Sequence, residues 1–302
     1  MTDSADSAEA WFAGVDPGDP DAASAAIDES EADEPRDWPA VAVEAGFAAD
    51  EEEYYDRLHE ATVAAAREQA RQAERADDKQ LVHALRAMDD TERTANELAE
   101  RVEEWAGALL DIETAATGLE FAAAVADHDP ENATAERAVS LAQRAVDLRA
   151  ERDALRTFIE RRAPDVAPNL AEMAGSTLAA RLISLAGGLE PLAKKPSGTV
   201  QVLGAEDALF AHLRGHAPSP KHGVIFTHEF VRGTRPEDRG SAARALAGKL
   251  AIAARIDHYS GDLRPDLHEE LRERMDTIRA RTGDEDDDTS SDAAEGAEVN
   301  DD

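Results

Sequence analysis

The sequence of 302 residues contains no cysteine, only five lysines and 4 % aromatic residues. The absence of cysteine excludes disulfide bonds and thiol catalysis, and it predicts a protein of the reducing cytoplasm. No run approaches the roughly 18 apolar residues of a membrane span, and the first residues lack the basic and apolar regions of a secretion signal. Because alanine, glutamate and arginine are abundant where aromatics are scarce, the composition predicts a mostly α-helical protein.

Negative charge dominates what is present. The chain has 66 acidic against 32 basic residues, a formal net charge of −34. With 42 % hydrophobic residues it still has enough apolar surface for a folded core. We interpret the acidic, lysine-poor composition as an adaptation to concentrated salt, because net charge acts on solubility rather than on fold. In such a solvent, binding of an anionic ligand would depend on hydrogen bonds, stacking and shape more than on net charge.

One long window departs from this acidity. Between Leu170 and Pro265 there are 12 Lys and Arg against nine Asp and Glu. A chain that withholds negative charge from one region is expected to bind an anionic partner there, because ligand repulsion follows the local potential. Nucleic acid is the leading candidate.

Heptad spacing of apolar residues predicts two long helices. The first seam contains Leu81, Leu85, Met88, Glu92, Ala95, Ala99, Val102, Ala106 and Leu109, and the second contains Leu141, Ala145, Leu148, Arg152, Leu155 and Ile159. A turn-rich segment at 127–130 separates them, which favours an antiparallel coiled-coil hairpin. Glu92 and Arg152 occupy seam positions in opposite helices, where pairing across the hairpin or a dimer contact and exposure to solvent are both compatible with the pattern.

The whole chain is predicted to have four parts. They are a small N-terminal module at 1–76, either α/β or partly disordered; the hairpin at 77–163; an all-α domain at 164–275; and a disordered acidic tail at 276–302. Within the all-α domain, core-facing stripes are predicted at Leu178, Leu182, Leu185 and Leu189, and at Leu246, Leu250, Ala253 and Ile256.

Several short motifs follow one another in a consistent order, at 167–170, 180–189, 192–196, 201–210, 220–226, 239–244 and 249–257. Together they resemble the Nop-domain family of box C/D ribonucleoproteins. The likeness extends over the first hairpin helix, so it covers about residues 77 to 262. Multiple motifs in register are far more specific than a lone short motif.

The resemblance implies a non-catalytic scaffold without a cofactor. Its expected partners are a box C/D guide RNA containing a kink-turn, the kink-turn-binding protein, a fibrillarin-type methyltransferase held by the N-terminal module, and a second copy held through the hairpin. The expected RNA- or partner-binding residues are Lys194, Lys195, Gln201, Gly204, Ala205, Glu206, Lys221, His222, Thr227, His228, Arg239, Arg244, Lys249 and Arg255. Thr227 or His228 would lie against a base, Arg239 and Arg244 near phosphates, and Arg255 and Asp257 are expected to form an ion pair.

Other chemistries fit the residues less well. The segment 200–206 lacks the second glycine and the Lys-Ser/Thr pair of a phosphate loop. His212 and His216 are four apart on a predicted helix, but no His-Glu-x-x-His arrangement accompanies them, so no metal site is predicted. Three alternatives remain: a structural coiled-coil protein without an RNA role, a hydrolase using the His and acidic residues at 206–229, and a Nop-domain protein serving another RNA.

Overall fold

The computed structural model describes residues 10–16, 18–30, 34–112 and 114–292, which are largely helical and contain no strand. The mostly α fold predicted from composition is therefore confirmed. The described residues divide into two compact units, Met1–Ala76 and Asp77–Asp302. In this part of the chain, no helix is both long and apolar enough to cross a membrane.

The first unit has three helices, α1 (Pro20–Glu29), α2 (Trp38–Glu44) and α3 (Glu51–Arg75). Its small core is aromatic: Phe12 stacks on Phe47 with centroids 5.0 Å apart, and Trp11 donates a hydrogen bond to the Tyr54 hydroxyl. Asp50 caps α3 by accepting from the Glu53 amide at 2.9 Å. An α/β module was one of the two predicted alternatives for this unit. The described residues contain no strand, and helices and turns bury the apolar clusters instead. Residues 1–9, 17 and 31–33 lie outside the described residues.

The second unit begins with an antiparallel hairpin. Helix α4 (Asp77–Leu109) packs along α6 (Ala133–Val166), and the short α5 (Gly118–Ala126) lies between them in sequence. The predicted seam of α4 is buried except at Glu92 and Leu109. The seam of α6 agrees with the prediction at Ala145 and Ile159, which are fully buried, and differs at the leucines at 141, 148 and 155, which are half-buried. Ala138 and Ala142, which the prediction did not include, are fully buried. Alanine allows the two helices to approach closely, and these leucines therefore flank the seam.

The remaining helices are mostly short and surround one long helix. They are α7 (Pro168–Ala174), α8 (Ser176–Ala186), α9 (Leu189–Lys194), α10 (Ser197–Val202), α11 (Glu206–Leu213), α12 (Glu229–Arg232), α13 (Arg239–Tyr259) and α14 (Pro265–Asp292), with a 3₁₀ turn at Val224–Thr227. Helix α13 is central: α7, α9, α10, α12 and α14 all pack against it. Its predicted stripe is buried at Leu246, Leu250 and Ala253, whereas Ile256 is half-buried.

The core of this helical domain continues into the base of the hairpin. Leu81, Leu85 and Met88 of α4 and Ile159 of α6 belong to the same cluster as Leu182 of α8. The boundary predicted at residue 163 falls inside α6. One residue of the predicted α8 stripe differs: Leu185 is 43 % exposed, because it lies beside Gly204 at the surface.

Helix α14 continues through the boundary that was predicted at residue 276. Leu267, Leu271, Met275 and Ile278 bury one face of it. A helix nucleated by this packing propagates at low cost, so helical backbone extends into the acidic segment as far as Asp292. Residues 293–302 lie outside the described residues, and the disorder predicted for the end of the tail stays a prediction there.

Candidate nucleic-acid interface

Three of the predicted site residues meet beside the first turn of α13. The Phe226 ring stacks with the His222 ring at 4.6 Å and 21°, and the Arg239 guanidinium lies over the Phe226 ring, 5.4 Å from its centroid. Arg239 is held by a hydrogen bond from its Nε to the Thr234 carbonyl at 3.1 Å. The aliphatic stem of Lys221 lies against the backbone of α13 at Gly240. This arrangement, which we call the Phe226 stack, brings two cations and an imidazole to one surface.

The environment of the Phe226 stack lowers the pKa of His222. Partial burial disfavours the imidazolium, and the positive charges of Arg239 and Lys221 act in the same direction. A neutral imidazole both donates and accepts hydrogen bonds. The surface therefore combines fixed positive charge with a neutral polar ring, which suits contact with phosphates and bases together.

A backbone contact at Gly223 holds this surface in place. The Gly223 amide donates to the Gln201 carbonyl at 2.8 Å, and the Val224 amide donates to the Leu203 carbonyl at 2.7 Å. The Gln201 side chain in turn donates to the Lys221 carbonyl at 2.7 Å. A Cβ at position 223 would lie 1.9 Å from the Leu203 oxygen, so only glycine permits the approach. Gln201 thus positions the segment of Lys221 and Gly223, a role that could not be read from the sequence.

The predicted Gly204-Ala205-Glu206 motif forms the turn that begins α11. Gly204 has φ +80°, and the Glu206 carboxylate accepts from the Gly204 amide at 2.9 Å. Glu206 therefore stabilises the turn. The helix that follows buries none of its residues, and Phe210 and Leu213 are 57 % and 71 % exposed. Sequence reasoning missed this apolar surface, because eight residues are too few to distinguish a buried helical face from an exposed one.

Thr227 and His228 are held by contacts within the chain. The Phe230 amide donates to Nδ1 of His228 at 3.1 Å, so Nε2 carries the proton and donates to the Met173 carbonyl at 3.1 Å. Burial lowers the pKa of His228, in agreement with this neutral form. Thr227 donates to the Val224 carbonyl at 2.9 Å. Both residues border a surface cavity of about 530 Å³, so the predicted base contact would occur at its rim.

The opposite end of α13 holds a second group of predicted residues. Arg255 donates from Nε to the Ala193 carbonyl at 3.2 Å and from Nη2 to the Lys195 carbonyl at 3.3 Å. Lys194 pairs with Glu190 at 2.6 Å. Arg255 therefore holds the C-terminal end of α9, where Lys194 and Lys195 lie.

The ion pair expected between Arg255 and Asp257 is wrong. Asp257 is buried on the opposite side of α13, where its carboxylate accepts from the Asn169 amide at 2.9 Å, the Asn169 side chain at 2.6 Å and the Leu170 amide at 2.9 Å. Residues two apart on a helix point about 200° apart, which explains the separation. Asp257 anchors the start of α7.

Arg244 and Lys249 differ in their surroundings. Lys249 forms an ion pair with Glu270 of α14. Arg244 is exposed on another face of α13, and it makes no hydrogen bond or ion pair with any described residue. Of the two, Arg244 is the one whose charge is available to a ligand. In the described part of the chain, no group of three or more His, Asp or Glu has a metal-binding arrangement.

Comparisons with known proteins identify a matching family and several relatives. The profile of the family described as "Nop: snoRNA binding domain, fibrillarin" matches residues 45–278. An uncharacterized NOP5 family protein of Methanocaldococcus jannaschii is 48 % identical over 143 residues, which are 47 % of this chain and 34 % of that protein. Nucleolar protein 56 of Schizosaccharomyces pombe is 42 % identical over 125 residues, 41 % of this chain and 25 % of that protein. The aligned parts thus span about a third or less of these relatives.

A solved structure is also similar. A chain from the crystal structure of a fibrillarin/Nop5p complex superposes with a TM-score of 0.51 and 27 % identity. The superposition covers 85 % of this chain and 92 % of that chain. The likeness therefore extends well beyond the segment shared with the curated relatives.

Proposed function

Because the chain belongs to the Nop family, we propose that it is a non-catalytic scaffold of a box C/D guide ribonucleoprotein. It binds a kink-turn RNA together with the kink-turn-binding protein, and it recruits a fibrillarin-type methyltransferase that methylates ribose 2′-hydroxyls of rRNA. The observation that carries the proposal is the Phe226 stack beside the exposed α11, two adjoining surfaces of different chemistry in one domain.

The Phe226 stack is the RNA-contacting half of this composite surface. Lys221 and Arg239 supply positive charge in a chain whose net charge is −34. Their positions are fixed by the Gly223 contact and by the bond from Arg239 to Thr234. Preorganised cations lose less side-chain entropy on binding, which favours phosphate contact even where salt screens long-range attraction.

Helix α11 is the protein-contacting half. Its exposed Phe210 and Leu213 have no partner among the described residues of this chain. Large apolar side chains that contribute nothing to a core are typical of the centre of a protein interface. We assign the kink-turn-binding protein as the occupant, because the turn that precedes α11 contains Gly204, whose position beside Val224 connects the helix to the segment of the Phe226 stack.

The hairpin offers a surface for a second copy of the chain. On α4, Leu98 and Trp105 precede seam alanines, and on α6 Leu141 and Leu148 occupy the equivalent positions. In an antiparallel pair, these positions share one flank. Helix α5 lies on the other flank, where the Gly118 amide donates to Glu103 at 2.9 Å. The open flank is therefore apolar, and we propose homodimerisation through it.

Docking of the methyltransferase belongs to the first unit in this proposal. That unit exposes Tyr55 and Val43 next to its aromatic core. Aromatic side chains are enriched in protein interfaces relative to the rest of the surface, so Tyr55 is the expected contact point.

A binding titration in concentrated KCl tests the proposal. The chain is added to a box C/D guide RNA with and without the kink-turn-binding protein, and complex formation is followed by fluorescence anisotropy. We expect binding to the preformed complex, loss of it in Phe210→Ala and in Arg239→Ala, and no change in Arg274→Ala, which removes an exposed charge on α14. A folded chain that binds neither RNA preparation would contradict the proposal and favour the coiled-coil interaction protein.

A further inference from the structure

The backbone on both sides of His222 is fixed by contacts with α10. The Gln201 side chain donates to the Lys221 carbonyl at 2.7 Å, and the Gly223 amide donates to the Gln201 carbonyl at 2.8 Å. The His222 ring is itself stacked on Phe226, with the two centroids 4.6 Å apart. A side chain that is already ordered in this way loses little conformational entropy when a ligand binds.

The polar edge of the His222 ring is not used by the described part of the chain. No other described residue forms a hydrogen bond with either ring nitrogen, and neither nitrogen is a buried atom without a partner, so this edge faces solvent. His228 differs, because its two nitrogens are bonded to Phe230 and Met173. His222 is therefore held in one orientation and keeps its hydrogen-bonding capacity for a ligand.

The surroundings of His222 favour the neutral ring. Partial burial and the positive charges of Arg239 and Lys221 lower the pKa of His222. A neutral imidazole has an acceptor nitrogen, whereas lysine and arginine side chains have donors only. The Phe226 stack thus combines cations that suit phosphates with one acceptor that suits a hydroxyl or amino group.

The position of this acceptor favours a ribose over a base. Arg239 and Lys221 both lie close enough to His222 to act on its charge. In an RNA strand a ribose joins each pair of successive phosphates, so a group beside two phosphate-binding cations faces the sugar. The Phe226 ring is already in contact with His222 and Arg239, which leaves less of its face for a base to stack on. The 2′-hydroxyl is the donor that such a ribose offers, and DNA lacks it.

We propose that the His222 imidazole accepts a hydrogen bond from a ribose 2′-hydroxyl and thereby selects RNA over DNA at the Phe226 stack. The inference rests on the proposed function, which puts an RNA on this surface, and it names the chemical group of that RNA which is recognised. A hydrogen bond between neutral groups is not weakened by charge screening, so this contact suits concentrated salt better than a further cation would.

The test measures binding to a set of RNAs that differ in one hydroxyl group. Each RNA contains the same kink-turn with its bound protein, and one nucleotide at a time is replaced by its 2′-deoxy form. Fluorescence anisotropy in concentrated KCl gives the affinity of the full-length chain for each RNA. We expect the wild-type chain to lose about five-fold in affinity at one nucleotide, the effect of one net hydrogen bond.

Two variants separate the hydroxyl contact from the phosphate contacts. His222→Phe keeps a ring that stacks on Phe226 and removes both nitrogens, so it should bind the all-ribose RNA about five-fold more weakly and show no further loss at the sensitive nucleotide. Lys221→Ala should weaken binding to every RNA by a similar factor, reduce the log–log salt slope by about 1 and retain the effect of the deoxy nucleotide.

His59→Phe is the matched control, because it makes the same change at an exposed position of α3 and should follow the wild type. His222→Leu also removes both nitrogens, and it replaces His222→Phe in the test if thermal unfolding shows that the phenylalanine variant does not fold. Equal affinity of the wild-type chain for all the RNAs, or a deoxy effect that persists without the imidazole, would overturn the His222 contact alone. Failure of the folded wild-type chain to bind any of the RNAs would overturn the proposed function together with it.

Discussion

Two glycines of the helical domain, Gly223 and Gly248, differ in whether a side chain could be added. At Gly223 a side chain would collide with the Leu203 backbone, while at Gly248 it would point into open space. The loss of folding stability on adding a methyl group depends on whether the neighbouring atoms can move away. A backbone carbonyl held in a hydrogen-bonded turn cannot.

We therefore expect Gly223→Ala to destabilise the protein by about 3 kcal/mol or more, because the Gln201 and Leu203 contacts must break. The measurement is the free energy of unfolding by denaturant. Gly248→Ala is the matched control, and it should leave stability unchanged or raise it by up to about 1 kcal/mol, since alanine is the better helix former. Equal stability of the two variants would contradict the close backbone approach at residue 223.

His228 makes stability depend on pH. Burial lowers its pKa in the folded state, so the folded protein binds fewer protons there than the unfolded chain. Its contribution is fully present above the ordinary histidine pKa of about 6.5, and it is lost as pH falls from that value through the lowered pKa of the folded state. The hydrogen bond to Met173 and the charge of Glu229 oppose this lowering of the pKa, while the charge of His268 adds to it.

His228→Asn keeps a side-chain acceptor for the Phe230 amide but removes the titrating ring and the bond to Met173. We expect it to cost about 1–2 kcal/mol at pH 8 and progressively less below pH 6.5. Unfolding free energies of variant and wild type, measured at both pH values, check this. The exposed His216→Asn should follow the wild type throughout; a constant difference between His228→Asn and wild type would count against a buried neutral ring.

At the scale of elements, the hairpin contains one polar layer in its apolar seam. Arg152, whose side chain is 17 % exposed, pairs with Glu92 across the hairpin at 3.3 Å and with Asp153 at 2.9 Å. This confirms the pairing that was one of the two interpretations of the sequence. Ion pairs removed from water often stabilise less than apolar residues of similar size, because desolvation offsets the Coulomb attraction.

Replacing both residues, Glu92→Leu with Arg152→Leu, is therefore expected to leave stability unchanged or to raise it by about 1–2 kcal/mol. Chemical denaturation of the double variant provides the test. Arg137→Leu, which removes an exposed pair with Glu136, should change stability by less than about 0.5 kcal/mol. A loss of more than about 2 kcal/mol in the double variant would show that the polar layer itself stabilises the hairpin.

At the scale of the whole molecule, the two units have separate cores. The aromatic cluster around Phe12 and Phe47 belongs to the first, and the helical domain and hairpin have clusters of their own. A chain of residues 77–302 is therefore expected to unfold cooperatively and to bind the RNA complex as the full chain does, but not to recruit the methyltransferase. Thermal unfolding and pull-down assays measure the two properties. Loss of cooperative unfolding would mean that the second unit needs the first.

The open flank of the hairpin predicts the oligomeric state. Leu148→Glu places a charge in the proposed dimer interface, and we expect it to convert a dimer into a monomer in sedimentation experiments. Ala154→Glu introduces the same charge at an exposed position of α6 on the side away from the seam, and should leave the dimer intact. A monomeric wild-type chain would contradict the proposed homodimer.

The sequence by itself determined the helical class, the hairpin and the region of the candidate interface. Composition and heptad spacing are local features of the sequence. The order of the motifs between residues 167 and 257 can likewise be read without knowledge of tertiary contacts. Of the site residues, Lys221 and Arg244 are exposed and His222 and Arg239 are half-buried, and their contact with RNA stays a prediction. The sequence also correctly separated Lys249 from the face shared by Arg244 and Arg255, because helical phase is fixed by residue number.

Only the tertiary structure decided which of these side chains are available to a ligand. Gln201, Glu206 and His228 form hydrogen bonds within the chain, and Arg255 binds backbone carbonyls more than 50 residues away. On α6, Ala138 and Ala142 are buried against the neighbouring helices, while the leucines at 141, 148 and 155 are only half-buried. These outcomes depend on contacts between distant segments, which local propensity and spacing do not contain.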